Sequence, residues 1–399
     1  MIARAPYLFL LLILIPDLYL DLHYWRHRYS TGKRLLHWLP SIVLTALTLK
    51  LTYEADFIPE DPTLLYIYLF LLGLIAIPKL VYVLCSILGL GCCRLFHSKR
   101  NYGNLIGALT VPMIWYILFY GSFVGFQQLE VNRHTYTSPD LPAAFDGYKI
   151  VMFSDAHVGT LTGSRQWMLQ RAVDSINALH PDMIVFIGDL QNIHPKELYK
   201  QMDILSQLKA KDGVFSVLGN HDYAQYVSCS EAEKVANCKE TISLERQMGW
   251  TVLLNDHRTI QRDKAQIIIA GMENDGDGKH FPQKGNIHKA IPASLPNIGG
   301  AKGGLNNRPF VLLLEHDPSS WRRKIIPDGR AQLTLSGHTH AMQFKLGSWS
   351  PIALMGKEWN GWYTEGAQSM FITAGLGGLI PFRFGASGEI VVLTMKSQK

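Results

Sequence analysis

The chain has 399 residues, of which 48% are hydrophobic and 18% charged, with a formal net charge of +6. Two or three domains fit that length, and so apolar a composition argues against a wholly soluble protein and for membrane segments. Ten of the 38 Lys/Arg and six of the 32 Asp/Glu lie in 1–126, leaving 28 and 26 beyond it; that near-neutral remainder lacks the basic stripe of a nucleic-acid binder, so no nucleic-acid partner is expected.

Four apolar stretches come first: Tyr7–Leu22, Leu35–Tyr53, Leu64 to about Leu90, and Asn104–Phe126. A bilayer-crossing helix needs roughly 20 apolar residues. The first stretch is short and interrupted by Pro16-Asp17, so a signal peptide or an interfacial segment competes with a span. Arg4 is its one leading basic residue, no small-residue cleavage site is evident and more spans follow, which favours a retained helix. Asp17, Asp21, Lys50 and Lys79 lie in or beside these stretches, where snorkelling at helix ends is expected for most. Arg26, Arg28, Lys33 and Arg34 fill the first loop, and Arg94, Lys99 and Arg100 the third, whereas the loop "EADFIPEDP" has no basic residue. Loops one and three are therefore expected on the cytoplasmic side, with everything after Phe126 on the outer side.

Residues 127–147 are polar and punctuated by Pro and Gly, as in a linker or leading hairpin. From Tyr148 short apolar runs alternate with amphipathic stretches. Strands are expected at 149–154, 182–188, 213–219, 251–255, 265–271, 310–316, 331–337, 369–375 and 389–395, with helices at 164–179 and 196–209. Such alternation implies parallel βαβ units, whose strand C-termini converge on one edge. Cys229 and Cys238 are either a disulfide or two free thiols.

Polar residues able to bind metal follow five of these strands. They are Asp155-Ala156-His157, Gly188-Asp189, Gly219-Asn220-His221-Asp222, His316, and Gly337-His338-Thr339-His340. Each alone reads as turn chemistry. Five in succession supply carboxylate, amide oxygen and imidazole, the mixed set suited to Zn, Mn or Fe. Seven candidate ligands exceed one tetrahedral ion, and two ions sharing a carboxylate fit the count. Because strand side chains alternate, His338 and His340 can aim into one site, with Thr339 turned away.

These blocks resemble the calcineurin-like metallophosphoesterase superfamily, and "LPAAFDGYKIVMFSDAHVG" and "VLGNHDY" look like its membrane-associated bacterial branch. The resemblance implies an α/β fold, a two-sheet sandwich flanked by helices. It also implies that Asp155, His157 and His340 hold one divalent ion and Asn220, His316 and His338 a second, with Asp189 bridging. His221 would be a non-ligand acid/base and Asp222 would orient its ring. The domain plan is then an all-α anchor over 1–126, a linker over 127–147 and a catalytic domain over 148–399. The expected activity is hydrolysis of a phosphomonoester, phosphodiester or pyrophosphate bond by a hydroxide bridging the two ions, and tethering at the bilayer points to an envelope or lipid-linked substrate. The competing class is a non-catalytic membrane protein using the domain as a metal-bound scaffold or binding module. Ala156 and Ala341-Met342-Gln343 depart from the common pattern without removing a ligand. Two surrounding features are weighed as well. Segment 276–308 carries Lys279, Lys284, Lys289, Lys302 and Arg308, read as a solvated loop or a basic lid. Trp349, Trp359, Trp362 and Tyr363 are read first as core packing.

Overall fold

The computed structural model describes residues 5–55, 61–227, 229–279, 281–292 and 309–398. It divides into two compact units, Met1–Val124 and Gly125–Lys399.

The first unit is helical. Helix α1 (Ala5–Leu20) runs into a wider turn at Asp21–Trp25, followed by α2 (Thr31–Ala55), α3 (Thr63–Leu95) and α4 (Tyr102–Phe123). All four are long and apolar enough to cross a membrane. In an apolar bundle a charge is tolerated when it is paired. Asp17 is wholly buried and meets Lys79 at 2.7 Å and His37 at 3.3 Å. Asp21 takes both Arg34 hydrogen bonds, at 2.7 and 2.6 Å. Asp17 and Lys79 therefore pair inside the bundle, which corrects the expectation that they snorkel from helix ends.

The second unit stacks two six-stranded sheets. The first has the order β1-β12-β2-β3-β4-β5 and the second β10-β11-β9-β8-β7-β6. The strands are β1 (Leu129–Ser138), β2 (Lys149–Phe153), β3 (Met183–Ile187), β4 (Val214–Val217), β5 (Thr251–Val252), β6 (Asp256–Arg262), β7 (Ala265–Gly271), β8 (Phe310–Leu314), β9 (Leu333–Ser336), β10 (Gly361–Glu365), β11 (Gln368–Ile372) and β12 (Gly388–Ser397). Strands β2 to β5 run parallel, as do β7, β8, β9 and β11. Parallel strands covered on both faces read as continuous apolar runs, and the alternation sorts their side chains. Ile150 and Met152 face the layer between the sheets, with Ile187, Leu312 and Leu335. Val151 and Phe153 pack with Leu169 and Val173 of α5 (Gln166–Ala178) on the outer face.

Three readings need correction. Residues 129–138, expected within a linker or hairpin, form β1 and pair in parallel with β12 over ten residues; their polar alternation is that of an edge strand. The helix expected at 196–209 is reduced to a turn at Pro195–Glu197 and a short α6 (Met202–Leu205). Glu197 is drawn out of helical service by accepting the amides of Asn192, Ile193 and His194 at 2.6, 3.0 and 3.1 Å. Helix α7 (Glu231–Gln247) was not expected, although Ser230 and Glu233 form a capping box at its start. Cys229 and Cys238 are both free thiols, and burial pushes the Cys238 thiol up to about 11.

Candidate metal centre

The site lies where the carboxyl ends of β2, β3, β4, β8 and β9 meet. Each strand stops two or three residues before its polar group, so short exits deliver the side chains. Asp155, His157, Asp189, His338 and His340 have φ of 53°, 41°, 59°, 75° and 49°. Left-handed backbone at a non-glycine residue is uncommon and costs of order 1–3 kcal/mol. Five such residues in one pocket show a backbone bent to aim side chains. His338 and His340 reach the pocket by these turns beyond β9, not by strand alternation, and Thr339 points away to the Trp359 carbonyl at 2.6 Å. Gly337 and Gly219 make room for them. A Cβ on Gly337 would sit 2.1 Å from Ser154 Oγ and 2.5 Å from Asp155 Oδ2, and one on Gly219 would sit 2.1 Å from Asp189 Oδ1.

Two clusters result, and they share Asp189. One joins Asp155, His157, Asp189 and His340, and the other joins Asp189, His316 and His338. In the first, His157 Nε2 lies 3.1 Å from His340 Nε2 and 3.7 Å from Asp189 Oδ2, while His340 Nε2 lies 3.3 Å from Asp155 Oδ1. The Nδ1 atoms of His157 and His340 are buried without a hydrogen-bond partner among the described residues. In the second, His316 Nε2 is 3.1 Å from Asp189 Oδ2 and 3.2 Å from Asn220 Oδ1, which lies 2.8 Å from His338 Nδ1. Asn220 donates its amide nitrogen to Tyr226 at 2.7 Å, which leaves the oxygen facing the histidines.

The donor set fits cations. His316 Nδ1 must donate to the Ile187 carbonyl at 2.6 Å, so its Nε2 closes on Asp189 as an imidazolium or across a cation. Burial opposes charge on His316, yet the Asp189 carboxylate overrides it and raises its pKa well above the ordinary value. Burial likewise opposes charge on Asp189, and His316 and His221 hold it well below the usual carboxylate range. At His157 and His340 burial outweighs the pull of Asp189 and Asp155 and pushes both down to about 3. Neutral imidazoles beside ionised carboxylates are the protonation state in which these groups bind metal.

The remaining pair behaves differently. The His221 ring gives its Nδ1 proton to the Asn192 carbonyl at 2.6 Å and packs 4.4 Å from the Tyr226 ring. Asp222 does not orient that ring, contrary to the expectation. Its Oδ2 accepts the amides of Asp189 and Gly219 at 2.8 and 2.9 Å, and its Oδ1 those of Leu190 and Gln191 at 3.0 and 3.2 Å. Burial and the Asp189 charge push its pKa up to about 7, while four amide donors favour the ionised form. The carboxylate thus clamps the loop that carries Asp189, and Asn192, absent from the sequence reading, holds the histidine.

Arg383 was missed as well. It is fully buried and donates to the carbonyls of Ala374, Gly375, Gly377, Ala386 and Ser387, tying down the loop that covers Asp155. Of the basic residues read as a solvated loop or a lid, Lys279, Lys284 and Lys289 are exposed, and the Lys284 amine sits 4.6 Å over the Tyr223 ring. Lys302 and Arg308 lie outside the described residues. Trp362 stacks on Tyr136 at 5.8 Å against the inter-sheet core, whereas Trp349 is exposed.

Comparison with known proteins agrees with this architecture. The family described as "Calcineurin-like phosphoesterase" matches residues 148–342, and "Probable Calcineurin-like phosphoesterase, transmembrane domain" matches residues 2–126. An uncharacterized metallophosphoesterase, YkuE of Bacillus subtilis, is 31% identical over 70% of this chain and 89% of its own length. The "Transmembrane protein with metallophosphoesterase domain" of Danio rerio is 28% identical over 64% of this chain, which spans 55% of that relative. "UDP-2,3-diacylglucosamine pyrophosphatase LpxG" of Chlamydia muridarum is 26% identical over 66% of this chain and 88% of its own length. The chain is a membrane protein and belongs to the calcineurin-like phosphoesterase family.

Proposed function

We propose that this chain is a membrane-anchored, metal-dependent phosphoric ester hydrolase that uses Asp155, His157, Asp189, Asn220, His316, His338 and His340 as ligands. The observation carrying this is the convergence of two ligand clusters on one shared carboxylate, Asp189. Two divalent ions held there would supply Lewis-acid charge and lower the pKa of water. The chain's own groups do the rest. Asp189 keeps Oδ2 toward both clusters because its Oδ1 accepts the His221 amide at 2.8 Å. His221, with Nδ1 committed to Asn192, presents Nε2 as the nitrogen able to exchange a proton with the leaving oxygen. Asp222 keeps the 189–191 turn in register with both.

The finer reading is a phosphoanhydride or phosphodiester of a lipid-linked substrate. The membrane helices and the pyrophosphatase named among the relatives support it. The anchor comprises residues 1–126, and the catalytic domain, 148–399 with strand β1 added, faces the outer side. The basic first and third loops support that orientation. The test is hydrolysis of bis-(p-nitrophenyl) phosphate by the purified full chain with added manganese. Activity abolished by chelator and restored by metal is expected; a metal-loaded chain that hydrolyses neither this ester nor a membrane-lipid extract would leave the scaffold reading instead.

A further inference from the structure

Residues of the four helices and of the turn after the first line a cavity of about 550 Å³ that is broadly open on one side. A cleft of this size falls within the range of ligand sites. Leu20, Leu74, Ile75 and Val111 contribute apolar lining, and Trp25, Tyr29, Tyr82 and Trp115 contribute aromatic lining. Among the described residues the basic lining is Arg28, Lys79 and His37, and no Asp or Glu lines it.

The charges near the cavity do not cancel. Asp17 is engaged by the lining residues Lys79 at 2.7 Å and His37 at 3.3 Å. Asp21 is taken by Arg34 at 2.6 Å. The Arg28 guanidinium is exposed and has no ion-pair partner among the described residues. Stacked rings stiffen the lining beside it, His37 on Trp25 at 4.6 Å and Trp25 against Tyr29 at 4.6 Å. A cationic, aromatic-lined mouth over an apolar interior selects an amphiphile with an anionic head. Basic pockets between membrane helices recognise lipid phosphates by this chemistry.

We propose that the cavity holds one anionic phospholipid, with its phosphate on Arg28 and the start of its acyl chains along Leu74, Ile75 and Val111. The proposal concerns the anchor alone and stands apart from hydrolysis. Native mass spectrometry of the full chain in micelles tests it, with equal amounts of dioleoylphosphatidylglycerol and dioleoylphosphatidylcholine and with chelator present to prevent turnover. The wild type is expected to retain a single phosphatidylglycerol in preference to phosphatidylcholine. Arg28→Gln, at an exposed position, should lower that preference about tenfold, because it removes the cation that favours a net-anionic head over one carrying its own choline cation. Lys33→Gln, whose amine lies over the Tyr29 ring at 5.7 Å and outside the lining, should change it by less than about twofold. Val111→Trp, which sets an indole where the acyl chains would lie, should remove the retained lipid. Equal retention of the two lipids, an unchanged preference in Arg28→Gln, or a lipid still retained in Val111→Trp would overturn the proposal.

Discussion

Asp222 and Arg383 show how single side chains act on the site without entering it. Asp222 accepts four backbone amides, so its charge fixes the turn that aims Asp189 and His221. Arg383 saturates carbonyls of 374–387 that the packed interior would otherwise leave unpaired. Replacing Arg383 by Met should cost about 3–4 kcal/mol, since several buried acceptors lose their donor together. Chemical unfolding of the full chain in detergent, followed by tryptophan emission, measures that loss. His221→Ala should keep its metal and lose about 10²–10⁴-fold in turnover, the usual worth of a positioned acid or base; metal lost along with activity would make His221 a ligand instead. Position and partner differ in legibility here. The spacing of Asn220, His221 and Asp222 could be read from sequence, but the bond from His221 to the Asn192 carbonyl could not, because a backbone acceptor leaves no residue signature. Arg383 was invisible for the same reason.

Strand exits are the elements that make the site, and their geometry is costly. Left-handed turns at Asp155, Asp189 and His338 persist because close packing around them over-determines the backbone. Gly337→Ala tests this. Its methyl would meet Ser154 Oγ and Asp155 Oδ2, displace the Asp155 carboxylate and lower kcat by about 10²-fold, the effect of a misplacement near 1 Å. Farther off, Asp182 joins the sheets. Burial alone would raise its pKa, but Lys211 at 2.8 Å, the Lys149 amide at 2.8 Å and Arg262 at 3.0 Å hold it below the usual value. A carboxyl depressed in the folded state adds stability above its unfolded pKa, near 3.9, and loses it as pH falls through the folded value. Asp182→Asn should therefore flatten the fall in unfolding midpoint below about pH 4 and lower the midpoint at pH 7. The central strands were legible because both of their faces are buried, so their sequences are apolar throughout. β1, β6 and β10 were not, since an edge or hairpin strand mixes polar residues and lacks that signature.

The whole chain combines a helical unit suited to a bilayer with a two-sheet unit carrying polar groups on one edge. Both classes were visible in the sequence, one from sustained hydrophobicity and the other from motifs at regular intervals after apolar runs. The Asp17–Lys79 pair was not, since pairing across helices depends on how the bundle folds. If the basic loops face the cytoplasm, protease added to intact cells should degrade the second unit and spare the helices, and full protection would reverse the orientation. The central claim is that Asp189 joins two ligand clusters into one dinuclear site, and metal stoichiometry addresses it most directly. Elemental analysis of the full chain, loaded with manganese and dialysed, should give about two ions per chain, falling to near zero in Asp189→Asn. A wild-type chain that binds none, or an Asp189→Asn chain that still carries two, would contradict the account.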